Sequence, residues 1–366
     1  MMGQKKLFDL PKLFDVYSCE VEELFNYRLD LINEELSEEE KNIFCTRVCD
    51  YYHDVVGFPY YSNIDINAEM TKAKNYNPKN MLYGDNLGNI KEIQQVMHGL
   101  NVCNMFHPHM WEVRCNGKKT PMEVFSDKDL FRVAIRKRMS MSNSKLSPFN
   151  IRKSLKIFSG SQSVSNFKPI TARWVYDNYC PSGGVVLDPC MGYGGRLFGS
   201  ILSDNVVSYH GVDPCQKTYQ GNKKLNSAIG DGMDNKFFNL PFEDVCLSFG
   251  YYDFIFTSPP YYNIELYSDE PTQSCVRYGS YDKWVDGFLG KLILNSHKFL
   301  KSGKYFSINV AGDSLVKDVL SLAEAVGFEL IDRYEMRLSK MPRRGKTKNK
   351  FKTEPIFIFR KGKNNR

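Results

Sequence analysis

Residues 254 to 262 read Phe254-Ile255-Phe256-Thr257-Ser258-Pro259-Pro260-Tyr261-Tyr262, an apolar run that ends in a hydroxyl, two prolines and two aromatic rings. These residue types suit chemistry at an exocyclic amine. Such an amine is a weak nucleophile because its lone pair is delocalised into the ring, so a protein that activates it must offer acceptors to both N–H bonds. Ser258 Oγ is one acceptor. The Pro259 carbonyl is the other, since proline keeps its C=O and its fixed φ holds the carbonyl direction. Pro260 completes the turn, and Tyr261 supplies a flat face for a heterocycle. The same residues also describe a strand that simply stops at a Pro-Pro turn.

About seventy residues upstream, Val185-Val186-Leu187-Asp188-Pro189-Cys190-Met191-Gly192-Tyr193-Gly194-Gly195-Arg196 reads as a buried strand, an acid, and a glycine-rich turn opening a helix. Glycines let a backbone approach a ligand and adopt positive φ, and an acid at a strand end accepts hydrogen bonds from a cationic or hydroxylated group. The spacing is not G-x-G-x-x-G and no Lys-Ser/Thr follows, which disfavours a dinucleotide or ATP. A second strand, Tyr209 to Val212, ends in Asp213, placed to accept from ribose hydroxyls. Ser165 to Lys168 precede a helix expected over 170–179, with Pro169 at its first position.

The elements that must carry these residues alternate regularly from Gly160 onward. Strands are expected to end at Asp188, Asp213, Asn239 and Ser258. They are followed by a helix over 284–300, a strand over 304–310, a helix over 315–325, and strands over 328–337 and 354–360. Gly303 and Gly327 stand where helix C-caps are expected. This order implies an α/β, doubly wound, mostly parallel Rossmann-like sheet of seven strands with an antiparallel edge hairpin. Ligands of such sheets bind at the carboxyl ends of strands, where Asp188, Asp213, Glu243 and Ser258 all fall.

D-P-C-M-G-Y-G-G followed by T-S-P-P-Y resembles the cofactor and catalytic motifs of the amino-group (N4-cytosine or N6-adenine) S-adenosylmethionine-dependent DNA methyltransferases of bacteria and phages. The resemblance covers about residues 165 to 360. Asp188, Pro189, Gly192 and Gly194 fall on matching positions, whereas Cys190 and Tyr193 depart from the usual D-P-F-x-G-S-G. It implies S-adenosylmethionine as cofactor, with Phe167 and Lys168 over its methionine end and Glu243 (Asp244 in reserve) against its adenine. Ser258, Pro259, Pro260 and Tyr261 become the catalytic motif. The partner implied is double-stranded DNA with one base flipped out. N4 of cytosine is slightly favoured over N6 of adenine, and a restriction-modification role follows from the family. An RNA amino-methyltransferase and an inactive nucleic-acid-binding protein of the same fold are the alternatives.

With 366 residues and 42% hydrophobic content the chain can bury one large domain and a smaller one. Residues 1–158 are expected to be a mainly helical, DNA-recognising region and 159–366 the methyltransferase domain. The ten cysteines form no C-x-x-C pair and read as reduced thiols, and His107-Pro108-His109 fits a turn better than a metal-binding face, so no metal is expected. No apolar run reaches membrane-spanning length and no leader is legible, so no membrane partner is expected and a cytoplasmic location, in a bacterium or a phage-infected cell, is. The net charge of +7 is uneven: Lys340, Arg343, Arg344, Lys346, Lys348, Lys350 and Lys352 put seven cations into thirteen residues between two expected strands. Arg343, Arg344, Lys346 and Lys348 are the candidates for a nucleic-acid backbone. A second basic stretch runs from Lys128 to Lys156. Tyr262, Asn263 and Glu265 are candidate pocket walls. Ser274, Arg277, Tyr278, Tyr281 and Trp284 lie close enough in sequence to stack on or fill the gap around a displaced base.

Overall fold

The computed structural model describes residues 25–84, 91–338 and 352–363. These form two compact units: the chain up to Tyr60 with His109–Val164, and Tyr61–Pro108 with the chain from Ser165 onward. A single cut after residue 158 differs from this interleaved division. The reason lies in residues 61–108, where Ala73, Met81, Ile93, Val102 and Cys103 join the same core as Ile170, Val186 and Phe198. Arg173 reinforces the join by donating to the carbonyls of Ala73, Lys74 and Tyr76, which end the helix Ile66–Asn75.

The first unit is helical. Ser37 and Glu40 form a reciprocal capping box at the start of Glu38–Tyr51, and Thr120 and Glu123 form another at Pro121–Ser126. Asp127 caps Lys128–Met139 through two backbone N–H groups. Phe44, Val48, Phe131, Ile135, Ile151 and Leu155, spaced three or four apart on their helices, fill the core.

The second unit is built on a nine-stranded sheet. Its strands are β1 (Leu82–Gly84), β2 (Lys91–Ile93), β3 (Gly184–Asp188), β4 (Val206–Val212), β5 (Lys236–Phe238), β6 (Tyr252–Thr257), β7 (Leu300–Asn309), β8 (Phe328–Arg337) and β9 (Thr353–Lys361). They lie in the order β1-β2-β8-β9-β7-β6-β3-β4-β5. The doubly wound α/β class is as expected, but β1 and β2 extend the seven expected strands. The closing hairpin β8–β9 is therefore not the edge: β2 runs parallel to β8, pairing Glu92 with Glu335 and Ile93 with Met336. Lys91 to Asp332 and Arg337 to Glu92 add ion pairs along that seam.

Strand residues alternate between two buried faces. Val186, Phe254, Phe256, Ile356 and Ile358 point to one core with the helices Pro169–Tyr179 and Gly195–Leu202. Leu187, Ile255, Phe306, Ile308, Phe357 and Phe359 point to the other with Gly290–Phe299 and Asp313–Ala325. This is the period of two expected when helices cover both faces. Gly327, at φ +93, follows the helix Asp313–Ala325 as expected, but Gly303, at φ +75, lies inside β7 because the preceding helix has already ended at Phe299. Adjacent parallel strands β3 and β6 carry their connections away in opposite directions, which opens a crevice at their carboxyl ends.

Candidate active site

The crevice is floored by the turn after β3. Asp188 is fully buried and accepts from Arg196 Nε at 2.7 Å, Tyr209 Oη at 2.6 Å and Cys190 N at 3.2 Å. The cation and hydroxyl that the acid takes are thus groups of its own chain, and Asp188 anchors the turn from beneath. Cys190 N also donates to Thr257 Oγ1 at 3.1 Å, tying the turn to the last residue of β6. Gly192 and Gly194 have φ of +54 and +79, a region open to glycine at no steric cost. A Cβ on Gly192 would be in ordinary contact with Cys190 O at 3.9 Å, so this partly exposed position of the turn has room for a side-chain atom. Its back is closed, because a Cβ on Gly195 would fall 1.9 Å from Phe167 O. Asn166 Nδ2 donates to Tyr193 O at 2.8 Å and Asn222 Nδ2 to Gly192 O at 2.7 Å, fixing the turn from two sides. The Tyr193 ring is buried against His107 and Tyr267.

Asp213 follows β4 and is partly exposed. It accepts from Gly192 N at 3.2 Å and Cys215 N at 3.0 Å, yet burial outweighs these bonds and pushes its carboxyl up to about 7. Glu243 follows β5 and is already engaged: Arg277 Nη1 donates to it at 3.2 Å and Tyr278 Oη at 3.0 Å. Asp244 takes the same guanidinium at 2.6 Å. Arg277 and Tyr278 thereby tie the segment after Tyr261 to the turn after β5.

Ser258 emerges from the fully buried β6, with Pro259 buried and Pro260 and Tyr261 half-buried. Ser258 Oγ donates to Asn309 Oδ1 at 3.4 Å, the long end of the hydrogen-bond range, and Asn309 Nδ2 donates to Pro355 O at 2.9 Å. Burial keeps the Tyr261 phenol protonated, with the carboxyls of Glu354 and Glu265 adding to the effect. Glu265 accepts from Tyr267 Oη, and burial raises its pKa. Glu354 is raised too, by burial first and then by Glu265, against the opposing pull of Lys168. Lys168 caps the helix Pro169–Tyr179, donates through Nζ to Asn166 O at 2.7 Å, and is pulled down to about 8 by burial. Phe167 lies edge-on to Phe256, with the Arg196 guanidinium over both rings.

Asp188, Gly192, Gly194 and Asp213 therefore meet at one turn, the Phe167 backbone closes its back, and Ser258 follows the neighbouring strand β6, whose Thr257 is bonded to the turn. Glu243 accepts hydrogen bonds from Arg277 and Tyr278. Sequence reasoning missed Tyr209, Asn309 and Glu354, and saw Arg196 only as part of the turn. The signal for Asn309 was a polar residue ending an apolar strand; that for Arg196 was a lone cation in an apolar helix eight residues after Asp188.

Arg343, Arg344, Lys346 and Lys348 lie outside the described residues. The stretch 128–156 is largely consumed internally. Lys128, Arg132 and Arg136 pair with Asp50, Asp129 and Glu38, Arg138 donates to Asn150, and Arg152 donates to the carbonyls of Pro59 and Tyr60. Among the described residues no three His, Cys, Asp or Glu side chains group as metal ligands, and no helix is long and apolar enough to cross a membrane.

No protein-family model matches the sequence, and no curated protein matches it. Among solved structures, the chain resembles a methyltransferase from Pyrococcus furiosus at 12% identity and TM-score 0.38, covering 53% of this chain and 83% of that one. A putative RNA methyltransferase from Pyrococcus horikoshii gives 16% identity and TM-score 0.38 over 54% and 83% of the two chains. A SAM-dependent O-methyltransferase from Thermotoga maritima gives 12% identity and TM-score 0.39 over 56% and 69%. At these levels the likenesses describe part of a fold.

Proposed function

We propose that this chain is an S-adenosylmethionine-dependent methyltransferase acting on an exocyclic amine of a flipped base in duplex DNA, N4 of cytosine slightly favoured over N6 of adenine. The observation that supports the reading is that Ser258-Pro259 follow β6, whose last residue, Thr257, is hydrogen-bonded to the glycine turn after the adjacent strand β3 at the switch point of the sheet. The residues fit the cofactor: the turn at Gly192 is open for close backbone approach, and Asp213 is partly exposed beside it to accept from ribose hydroxyls. Phe167 and Lys168 lie at the methionine end in this reading.

When bound, S-adenosylmethionine supplies an electrophilic methyl on a sulfonium, whose sulfur keeps the C–S electron pair as the new N–C bond forms. The protein's part is to hold the amine. Ser258 Oγ and the Pro259 carbonyl accept its two N–H bonds, so that the nitrogen lone pair is turned out of conjugation and toward the methyl. Tyr261 stacks on the base. The alkylated nitrogen is acidic enough to release its proton to water, so no strong general base and no cysteine nucleophile is required. Positioning and acceptor electrostatics supply the rate.

The test is incubation with S-adenosylmethionine and mixed-sequence duplex DNA, with RNA in parallel, followed by nucleoside digestion and mass spectrometry. N4-methylcytosine or N6-methyladenine in DNA is the expected result. Modification of RNA alone would move the substrate to RNA, and cofactor binding without any modification would overturn the nucleic-acid reading.

A further inference from the structure

Ser258 can serve an amine as acceptor only if its own proton is directed elsewhere. A serine hydroxyl carries one O–H and two lone pairs. If the proton points at the substrate, a lone pair is lost to the amine and an N–H faces an O–H. The fold provides a fixed place for that proton. Asn309 ends β7, the strand beside β6, and is 2% exposed. Its amide has only one workable orientation, because the Pro355 carbonyl accepts and never donates, so Nδ2 must face it at 2.9 Å. Oδ1 is then turned toward Ser258, whose Oγ donates to it at 3.4 Å. Register fixes the arrangement, since Asn309 pairs with Ile356, the residue after Pro355. The neighbouring Tyr261 phenol is a competing acceptor, but a phenol oxygen shares its lone pair with the ring and accepts less well than an amide oxygen.

We propose that Asn309 is a positioning residue that takes the Ser258 proton and leaves both Ser258 lone pairs for the target amine. This rests on the reading of Ser258-Pro259 as the amine-holding pair. Asn309 touches neither cofactor nor substrate in this role; it acts through Ser258.

Two measurements test it. The first is independent of methyl transfer. In the Ser258→Cys variant, the thiol titrates by thiolate absorbance, read as a difference from wild type. An amide oxygen accepting the thiol proton stabilises the neutral form. Adding Asn309→Leu is expected to lower that thiol pKa, and adding Asn309→Asp, which keeps an oxygen there and adds charge, to raise it. An unchanged thiol in both double variants overturns the contact. The second is a kinetic double-mutant cycle under single turnover on whichever nucleic acid wild type methylates. Asn309→Leu is expected to lower the rate about tenfold to a hundredfold with the affinity for the nucleic acid nearly unchanged, and Ser258→Ala by about a hundredfold or more. In the Ser258→Ala background, Asn309→Leu should cost nothing further, while its effect on melting temperature should be the same in both backgrounds. An equal loss with and without Ser258 overturns the inference. If wild type methylates nucleic acid and Ser258→Ala is harmless, the reading of Ser258 fails instead, and the role assigned to Asn309 falls with it.

Discussion

Asp213 holds the glycine turn and, in the proposed function, also takes the cofactor's ribose. It receives the Gly192 and Cys215 amides, and burial still raises its pKa from 3.8 to about 7. Between those values the folded chain holds a proton that the unfolded chain has lost, so this group's contribution to stability falls as pH rises through the window. A denaturant series between pH 4 and 7 is expected to show that slope, flattened in Asp213→Asn. Ribose hydroxyls donate best to the ionised carboxylate, so S-adenosylmethionine should bind more tightly as pH rises toward and past 7, with proton release in calorimetry, and Asp213→Asn should abolish the pH dependence. Equal affinity at pH 6 and 8 would remove Asp213 from the cofactor's ribose. The position of Asp213 was legible in sequence from a strand ending in an acid. The internal partners of Asp188 were not, because which cation a buried acid takes depends on helix packing: Arg196 reaches it only because Gly195 lets the helix lie against Phe167.

At the scale of elements, the glycine turn is held by close approach as well as by hydrogen bonds. Gly195→Ala would put a methyl 1.9 Å from the Phe167 carbonyl oxygen, and backbone on both sides cannot yield cheaply. A destabilisation of about 1–3 kcal/mol is expected, read as a lower melting temperature together with weaker cofactor binding, since Phe167 and Lys168 would be pushed from the turn. A melting temperature equal to wild type would show that the helix can shift to absorb the methyl. The strands and helices around this turn were readable because hydrophobic period and punctuation agree: β8 spans 328–337 as expected, and Pro169 opens its helix. Gly303 was misread because a glycine after an amphipathic helix fits a C-cap, whereas here a positive φ is used within the opening turns of a strand. Strands β1 and β2, three residues each, carry too little pattern to be seen alone; their existence depends on an edge of β8 that sequence does not reveal.

For the whole molecule, charge bears on the nucleic-acid binding proposed above. Much of the basic stretch 128–156 is spent on partners within the helical unit, so in the proposed function the seven cations between Lys340 and Lys352 are the candidates for phosphate contacts. Replacing Arg343, Arg344, Lys346 and Lys348 by Gln is expected to weaken DNA binding at all sequences alike and to reduce the salt slope by about three. A slope unchanged in filter binding or fluorescence titration would place the contacts elsewhere. Composition revealed that loop, but nothing in composition reveals that residues 61–108 belong to the sheet unit, since their apolar residues look the same whichever core they enter. That interleaving bears on anyone who truncates the protein. A chain begun at residue 159 looks like an excised catalytic half, yet it would lose β2 from β8 and the side chains of Ala73, Met81, Ile93 and Val102 from the core. It would present an unpaired strand edge beside exposed apolar surface, a template for sheet-to-sheet self-association. Such a fragment is expected to elute as aggregate on size-exclusion chromatography, and only a cut that spares residues 61–108 would yield a soluble one.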